Sequence, residues 1–271
     1  MAGTATTTYP VKGPGVDPDH YGVVIEHSPK RVRVVFGGEV VADSRGVQLM
    51  HETSHPPVYY FPIGDVRMDL LEPSDKSSTC PWKGEARYWS VRVGERVAED
   101  AAWNYSEPVE GCPDISGLVA FYWHKMDAWY EEDEQVYVHP RDPYTRIDVL
   151  ESSRHVEVVV DGVTVADSHR PRILFETGLP PRYYLPTIDV RMELLRPSQK
   201  QTACPYKGWA KYWSVDAGGR VHEDLAWSYP TSHPEADKVA GLVAFFNERV
   251  DLYLDGEQQE RLETAWSRRR R

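Results

Sequence analysis

Two short motifs combine residue types that could carry out chemistry. The first, HETSH at 51–55, fits the H-E-x-x-H pattern in which a helix sets two histidines on one zinc ion. Thr53 and Ser54 are poor helix formers, and two prolines follow directly. The corresponding segment in the second half of the chain has Phe175 and Leu179 in place of the histidines. We therefore predict no metal site and no cofactor.

The second motif, C-P-W/Y-K-G, occurs twice, at Cys80–Gly84 and at Cys204–Gly208. An ammonium group three residues from a thiol can lower the pKa of that thiol, which makes Cys80 and Cys204 the candidate reactive thiols. A cysteine–histidine nucleophile pair would need a histidine beside both copies, and neither motif contains one. The sequence favours a buried cysteine, a proline–glycine turn and a solvated lysine, with the reactive thiol as the alternative.

A glutamate, Glu52 in the first half and Glu176 in the second, is kept while the residues around it differ. A buried carboxylate needs a partner, and Arg67 and Arg191 could supply one as structural ion pairs. The alternative is that each glutamate acts as a general base or contacts a ligand.

Aromatic residues are also doubled, including Tyr59-Tyr60 with Tyr183-Tyr184 and Trp103 with Trp227. Neighbouring strand residues face opposite ways, so one tyrosine of each pair is expected in the core and the other at a surface or cleft. Core packing is the simpler interpretation, and an aromatic pocket for a small ligand, including an anionic one, is the alternative. The candidate ligand-binding residues are Glu52, Tyr60, Arg67, Lys83, Trp103, Glu176, Tyr184, Arg191, Lys207 and Trp227.

These residues come in pairs because the chain is a tandem repeat. The segment VADS at Val41–Ser44 recurs 124 residues later at Val165–Ser168, and DVRM, YWSV and GLVAF recur in the same register. Upstream, an offset of 125 pairs Glu26 with Glu151. This change of offset predicts that the second copy has lost one residue after its first strand.

The repeat predicts four parts of the chain. They are a flexible tail at 1–16, a first β domain at 17–138, a second β domain at 139–256 and a C-terminal helical appendage with a basic end at 257–271.

The pattern within each copy is that of an all-β fold. Two β-branched runs surround Gly37-Gly38 and Asp161-Gly162, and these pairs favour tight two-residue hairpin turns. Alternation of apolar and charged residues at 65–70 predicts a half-buried strand. Each copy is therefore expected to be a compact antiparallel sandwich or barrel of about six to eight strands.

Composition limits the partners. The formal net charge is −11, which opposes broad contact with nucleic acid or anionic lipid. The basic run at 268–271 is interpreted as a solvated tail, with a phosphate-binding arm as the alternative. We find no long apolar stretch and no signal peptide, and the three cysteines suit a reduced compartment. These features predict a cytoplasmic protein without nucleic-acid or membrane partners.

The ordered motifs VADS, YYFP, DVRMDLL, CPWKG, YWSV, AWNY and GLVAF, followed by their second-copy versions, resemble the bacterial and fungal family called domain of unknown function 427. The resemblance covers about Asp17 to Gly256 and implies a compact antiparallel β domain with no established reaction. The family is sometimes labelled nucleotidyltransferase-like, but the carboxylates and glycine-rich loop that such an enzyme needs are not evident in this sequence.

Three functional hypotheses follow. The leading one is a tandem β-domain protein that binds a small molecule or a protein partner through the candidate residues above. The second is an enzyme with a cysteine or lysine nucleophile and a glutamate base in each domain. The third is a structural or assembly protein.

Overall fold

The computed structural model describes residues 21–53, 55–264 and 267. The predicted tail at 1–16 and the basic run at 268–271 lie outside these residues. The chain divides into two compact units, the first ending at Tyr144 and the second beginning at Thr145. In the described residues, no helix is both long enough and apolar enough to cross a membrane.

Eleven strands form the described part of the first unit. They are β1 Val23–His27, β2 Val32–Phe36, β3 Glu39–Ser44, β4 Gln48–Glu52, β5 Val58–Pro62, β6 Leu71–Cys80, β7 Gly84–Val93, β8 Arg96–Asn104, β9 Leu118–Phe121, β10 Ala128–Glu131 and β11 Glu134–Val136. Short 3-10 turns occupy Ile63–Asp65, Met68–Leu70 and Trp123–Lys125.

The described part of the second unit repeats this order. Its strands are β12 Ile147–Glu151, β13 Val156–Val160, β14 Val163–Ser168, β15 Arg172–Glu176, β16 Arg182–Leu185, β17 Leu195–Cys204, β18 Gly208–Ala217, β19 Arg220–Ser228, β20 Val243–Phe245, β21 Asp251–Leu254 and β22 Glu257–Gln258. Its 3-10 segments are Thr187–Asp189, Met192–Leu194 and Pro234–Val239.

Each unit is an antiparallel sandwich of a seven-stranded and a four-stranded sheet. The first unit has the orders β1-β4-β5-β9-β8-β7-β6 and β11-β10-β2-β3, and the second has β12-β15-β16-β20-β19-β18-β17 and β14-β13-β21-β22. The main core of each unit draws apolar side chains from both of its sheets. Each unit also has a second, more aromatic cluster, to which the described strands of the four-stranded sheet contribute no residue. It lies on the other face of the seven-stranded sheet, because alternate residues of a strand point to opposite faces.

The predicted fold class, two tandem antiparallel β domains, is therefore confirmed. The glycine pair of the β2–β3 turn has φ values of 61° and 83°, and Asp161 and Gly162 in the β13–β14 turn have 47° and 78°. Positive φ at both central residues is what a tight two-residue hairpin needs, which explains the sequence signal. Each unit has more strands than the predicted six to eight, partly because β10, β11 and their counterparts are only two to four residues long.

The strand predicted at 65–70 was wrong. These residues form parts of two 3-10 turns, and only Val66 makes a single bridge, to Ala42. The amide of Met68 bonds to the carbonyl of Val66, and that of Leu70 bonds to the carbonyl of Arg67. These local hydrogen bonds replace those of a ladder, so the alternation of apolar residues resembled a strand without forming one.

The predicted change of offset upstream was also wrong. Val23 pairs with Glu52 in the first unit, and Ile147 pairs with Glu176 in the second. Both positions differ by the same 124 residues, so the structural counterpart of Glu26 is Leu150. Pairing two glutamates in the sequence alignment was misleading because register, not residue identity, fixes equivalence in a sheet.

Residues at the predicted junction pack on the first unit. The hydroxyl of Tyr144 donates to Glu26 Oε2 at 2.7 Å, and its ring meets that of His51 edge-on at 5.5 Å between centroids. Asp142 is buried. The division between Tyr144 and Thr145 therefore falls later than the predicted start of the second domain at residue 139.

The described part of the predicted C-terminal helix is not helical. Asp255 and Gly256 have φ values of 54° and 85° and turn the chain back, so that Glu257–Gln258 pairs with β21. The amide of Gln259 then bonds to the carbonyl of Leu252. Because a hairpin satisfies these backbone groups, the helix-favouring composition is overridden.

Candidate functional site

A cavity of about 580 Å³ lies in the first unit, and much of its wall comes from the aromatic cluster on the seven-stranded sheet. Four strands contribute a row of directly paired residues. Tyr60 on β5 pairs with Ala120 on β9, Ala120 pairs with Trp103 on β8, and Trp103 pairs with Tyr88 on β7. Paired residues point to the same face, so the three rings line one wall, and Tyr60 and Trp103 meet across the small alanine between them.

The rings of this wall contact one another through edges and tilted faces. The indole N–H of Trp103 donates to Tyr60 Oη at 3.3 Å, and the two rings meet edge-on. Tyr122, just after β9, lies 4.5 Å from Trp103 between centroids. Contacts of this kind favour a defined ring arrangement over a loosely packed one.

Burial raises the pKa of three phenols of the cavity. It raises the pKa of Tyr60 and of Tyr105 far above the usual value for tyrosine. Burial, followed by a hydrogen bond and an unfavourable interaction with Tyr88, raises the pKa of Tyr122 to about 12. These hydroxyls therefore act as neutral hydrogen-bonding groups near pH 7 and not as bases.

An ion pair lies at one side of the cavity. Lys83 Nζ is 2.5 Å from Glu52 Oε2, and the two side chains are only 9% and 12% exposed. The hydroxyl of Tyr21 donates to the other oxygen of Glu52, and the ammonium also lies over the ring of Tyr105 at 5.6 Å. The carboxylate and the ammonium are thus each provided with a partner, as buried charges require.

The C-P-W-K-G turn positions this lysine. Gly84 has a φ of 104°, and a Cβ at that position would lie 2.9 Å from the carbonyl oxygen of Glu107. In the second unit Gly208 has a φ of 97°, and a Cβ added to Gly208 would lie 3.2 Å from the carbonyl oxygen of Thr231. Only glycine fits both the backbone angle and the close approach, which explains why the motif ends in this residue.

The arginines predicted to pair with the glutamates do not do so. Arg67 is half exposed and forms two hydrogen bonds with Asp69, at 2.8 and 2.7 Å. Arg191 is equally exposed and pairs with Glu193 at 2.8 Å. The structure therefore corrects the predicted partner of Glu52 from Arg67 to Lys83, because the 3-10 turns around Arg67 direct it to its own neighbour.

The cysteines and histidines of the two motifs occupy different surroundings. Cys80 packs against the aromatic cluster of the first unit, where it also lines the cavity, and its counterpart Cys204 packs against the aromatic cluster of the second unit. His51 lies on β4 and its Nε2 contacts Glu26 Oε1 at 3.0 Å, while Nδ1 of His55 contacts the carbonyl of Thr53. HETSH therefore ends a strand and does not set two histidines on one turn of a helix.

The second unit contains the same row and the same ion pair. Tyr184, Ala244, Trp227 and Tyr212 pair across β16, β20, β19 and β18. Lys207 Nζ lies 2.5 Å from Glu176 Oε2, with side chains 10% and 6% exposed. Because both units keep the ion pair, it belongs to the shared framework of the fold.

The units differ in what covers the tryptophan. Val58 and His124 line the cavity of the first unit, and their counterparts in the second are Arg182 and Glu248. Arg182 forms two hydrogen bonds of 2.7 Å with Glu248, whose side chain is completely buried. The guanidinium lies 5.8 Å from the centre of the Trp227 ring and covers it.

Arg182 and Glu248 together form a lid over Trp227, and further contacts hold this lid in place. Thr264 Oγ1 donates to Glu248 Oε1 at 2.7 Å, and Phe246 packs on Trp227 with 4.5 Å between centroids. Burial disfavours the charged form of Glu248. The hydrogen bonds from Arg182 and the attraction of its positive charge outweigh burial, so the pKa of Glu248 is lowered. Trp227 is consequently buried, whereas Trp103 is half-buried.

Sequence reasoning missed Tyr21, Arg182 and Glu248. The last two were detectable, because an apolar residue and a histidine in one copy are replaced together by an arginine and a glutamate in the other. Such a paired exchange at aligned positions indicates a salt bridge that only one copy forms.

A family model described as domain of unknown function (DUF427) matches residues 24–132 and again residues 148–256. No curated protein is similar enough to the chain to be matched to it. The two matched ranges contain most strands of both sandwiches, together with the aromatic rows and the two lysine–glutamate pairs. The chain therefore belongs to the DUF427 family, of which it contains two copies in tandem.

Proposed function

We propose that the first domain binds a small, neutral, planar aromatic molecule, and that the second domain is a closed copy of the same binding fold. The observation that carries this proposal is the exchange of Val58 and His124 for Arg182 and Glu248. In the first domain a cavity of about 580 Å³ remains beside Trp103, whereas in the second a buried guanidinium covers Trp227. Ligand pockets typically measure about 300–1,000 Å³.

The chemistry of the wall favours an aromatic ligand. Trp103, Tyr88 and Tyr122 offer ring faces and edges, to which another ring can bind by stacking or edge contacts. The neutral hydroxyls of Tyr60 and Tyr105 offer hydrogen bonds that would orient a polar edge of the ligand. We therefore expect a ligand that has one aromatic ring or two fused rings and carries a single hydrogen-bonding group.

The charges of the site argue for a neutral ligand. The ammonium of Lys83 is already paired with Glu52 at 2.5 Å, so an anionic ligand would have to compete with a buried carboxylate. A cationic ligand would compete with Lys76, whose Nζ lies 4.5 Å from the centre of the Tyr88 ring. Both charged classes are expected to bind more weakly than the neutral one.

An enzymatic function with Lys83 as nucleophile is the second candidate, because Lys83 and Glu52 meet within hydrogen-bonding distance in a cavity. A lysine attacks through a free amine, whereas Nζ of Lys83 is held 2.5 Å from a carboxylate oxygen of Glu52. The same pair is present in the second domain, where Trp227 is covered. These facts support a structural role for the pair over a catalytic one.

We further propose that the protein acts in the cytoplasm. The three cysteines are free, and this suits a reducing compartment.

The test uses three probes that share one ring system, namely indole, indole-3-acetate and tryptamine. Calorimetric titration of the full chain should give one binding event for indole and weaker binding for the two charged probes. The variant Val58→Arg/His124→Glu introduces the residues of the second domain and should weaken indole binding by about tenfold or more. A wild-type chain that binds none of the probes, or a filled variant that binds indole unchanged, would refute the proposal.

The matched control places the same residue changes on the surface of the same domain. Val40 is 38% exposed and His27 is exposed, so Val40→Arg/His27→Glu repeats the charges away from the cavity. Indole should bind this variant as it binds wild type. Loss of binding in the control would show that charge, and not filling of the cavity, decides affinity.

A further inference from the structure

A cluster of three potential metal ligands lies on the four-stranded sheet of the second domain. The ligand atoms of His155, Asp167 and His169 all lie within 4.8 Å of one another. His155 Nε2 is 2.7 Å from Asp167 Oδ1. The two imidazole rings stack with centroids 4.2 Å apart and an angle of 14° between their planes.

The β13–β14 hairpin brings these side chains together. Val156 pairs with Ser168, so His155, just before β13, lies opposite His169, just after β14. Asp167 and His169 are two residues apart and therefore share a face of the sheet. The backbone amide of His155 is fixed by a 2.9 Å hydrogen bond to Asp255, so the position of the cluster is set by the ladder and not by a free loop.

We propose that these three residues bind one divalent transition-metal ion of the zinc type. Two imidazoles and one carboxylate form a donor set that suits zinc and its neighbours and is poorly suited to Mg²⁺ or Ca²⁺, which prefer oxygen ligands. Metal–ligand bonds of about 2.0–2.2 Å at tetrahedral angles place donor atoms about 3.3–3.6 Å apart. The side chains must therefore shift from their present spacing, in which His155 Nε2 lies 2.7 Å from Asp167 Oδ1. Asp167 and His169 are exposed and His155 is about one-third exposed, so rotation of their side chains can supply this movement.

The first domain has arginines at the positions equivalent to the two histidines of this cluster. The counterparts, 124 residues earlier, are Arg31, Asp43 and Arg45. Arg31 forms two hydrogen bonds with the carboxylate of Asp43, from Nε at 2.7 Å and from Nη2 at 2.5 Å. An arginine satisfies the aspartate as a salt bridge but cannot ligate a metal, because it has no free lone pair at neutral pH.

Only three protein donors are present in this cluster, so an ion bound here would keep at least one position for water or another ligand. His169 also lines a cavity of about 590 Å³ whose wall includes Arg170 and Arg172. That opening gives an ion and its exchangeable ligand access from solvent. Because a metal ion binds imidazole and carboxylate groups in their deprotonated forms, zinc binding is expected to weaken as pH falls.

The experiment measures metal binding by the full chain after treatment with a chelator. Titration with ZnCl₂ in a calorimeter should give one site per chain, and titration with CoCl₂ should produce visible absorption from a nitrogen- and oxygen-ligated ion. The variant His155→Arg/His169→Arg carries the first-domain residues and should lose the zinc site. His155→Gln/His169→Gln tests the same loss without adding positive charge.

A matched control exchanges two other histidines of the second domain, in the variant His222→Gln/His233→Gln, and should keep one zinc per chain. Circular dichroism should show the same β spectrum for all variants, since the exchanged cluster lies at the surface. The proposal is overturned if wild type gives no zinc-binding heat, or if both cluster variants bind zinc as wild type does.

Discussion

The two domains build the same row of tyrosine, alanine, tryptophan and tyrosine, yet one leaves space over the tryptophan and the other covers it. The row depends on ladder register and the lysine–glutamate pair depends on the C-P-W/Y-K-G turn, and both are present twice. What differs is a pair of residues outside this framework. The shared framework therefore stabilises the fold, whereas the residues over the tryptophan decide whether space remains beside it.

The largest expected effect is on the lid of the second domain. Arg182→Ala would leave Glu248 buried without its guanidinium partner, and breaking such a pair costs about 3–5 kcal/mol. The loss should appear in the unfolding transition of the second domain, followed by chemical denaturation. Arg191→Ala removes an arginine that is 52% exposed and should cost about 1 kcal/mol or less. Equal effects of the two changes would show that the buried pair does not stabilise the closed copy.

The framework pair should matter equally in both domains. Lys83→Met and Lys207→Met each leave a nearly buried glutamate without its ammonium partner, and we expect each to cost about 3 kcal/mol. The double variants Lys83→Met/Glu52→Gln and Lys207→Met/Glu176→Gln should recover part of that loss. A large cost in the second domain with none in the first would contradict a shared structural role and would favour a functional lysine at position 83.

The turn glycines provide a finer comparison. Gly84→Ala forces a Cβ to within 2.9 Å of a backbone oxygen, whereas Gly208→Ala places it at 3.2 Å. Both changes also put a side chain at positive φ, so we expect about 2 kcal/mol of destabilisation for Gly84→Ala and somewhat less for Gly208→Ala. Gly64→Ala, where a Cβ would meet no atom within 4 Å, is the control and should be nearly neutral. The reverse order for Gly84 and Gly208 would refute the packing argument.

The smallest effect concerns pH. Because Arg182 lowers the pKa of Glu248 in the folded protein, ionised Glu248 stabilises the second domain above the unfolded value of about 4.3. This stabilisation is lost as pH falls through the lower folded pKa. The free energy of unfolding of the second domain, measured between neutral and acidic pH, should therefore decrease with acid in wild type. The decrease should be smaller in Arg182→Met/Glu248→Leu. An unchanged pH profile in that variant would assign the acid sensitivity to other carboxylates.

Part of the architecture could be predicted from the sequence because local residues determine it. Asp161-Gly162 predicted a hairpin because both residues readily adopt positive φ. The Tyr59-Tyr60 pair predicted one ring on each face of the sheet because successive side chains of a strand alternate between the two faces. Tyr59 indeed belongs to the core between the sheets, whereas Tyr60 belongs to the aromatic cluster on the other side. Both inferences needed only short-range geometry.

The partners of the charged residues could not be predicted in this way. Glu52 meets Lys83 because β4 and the turn after β6 come close in space, while Arg67 bonds to its own neighbour in a 3-10 turn. The alternation around Arg67 suggested a strand, and that error placed the arginine in the wrong surroundings. The cluster of His155, Asp167 and His169 was missed because hairpin register, and not a sequence motif, brings its members together.

The most direct test of the account follows the indole N–H signals of the ¹⁵N-labelled full chain while indole is added. The variants Trp103→Phe and Trp227→Phe identify the two relevant resonances. If the space beside the tryptophan is open in the first domain and closed in the second, the Trp103 signal moves with saturation and the Trp227 signal stays in place. Movement of the Trp227 signal with the same saturation curve, or a Trp103 signal that never moves, would contradict the account.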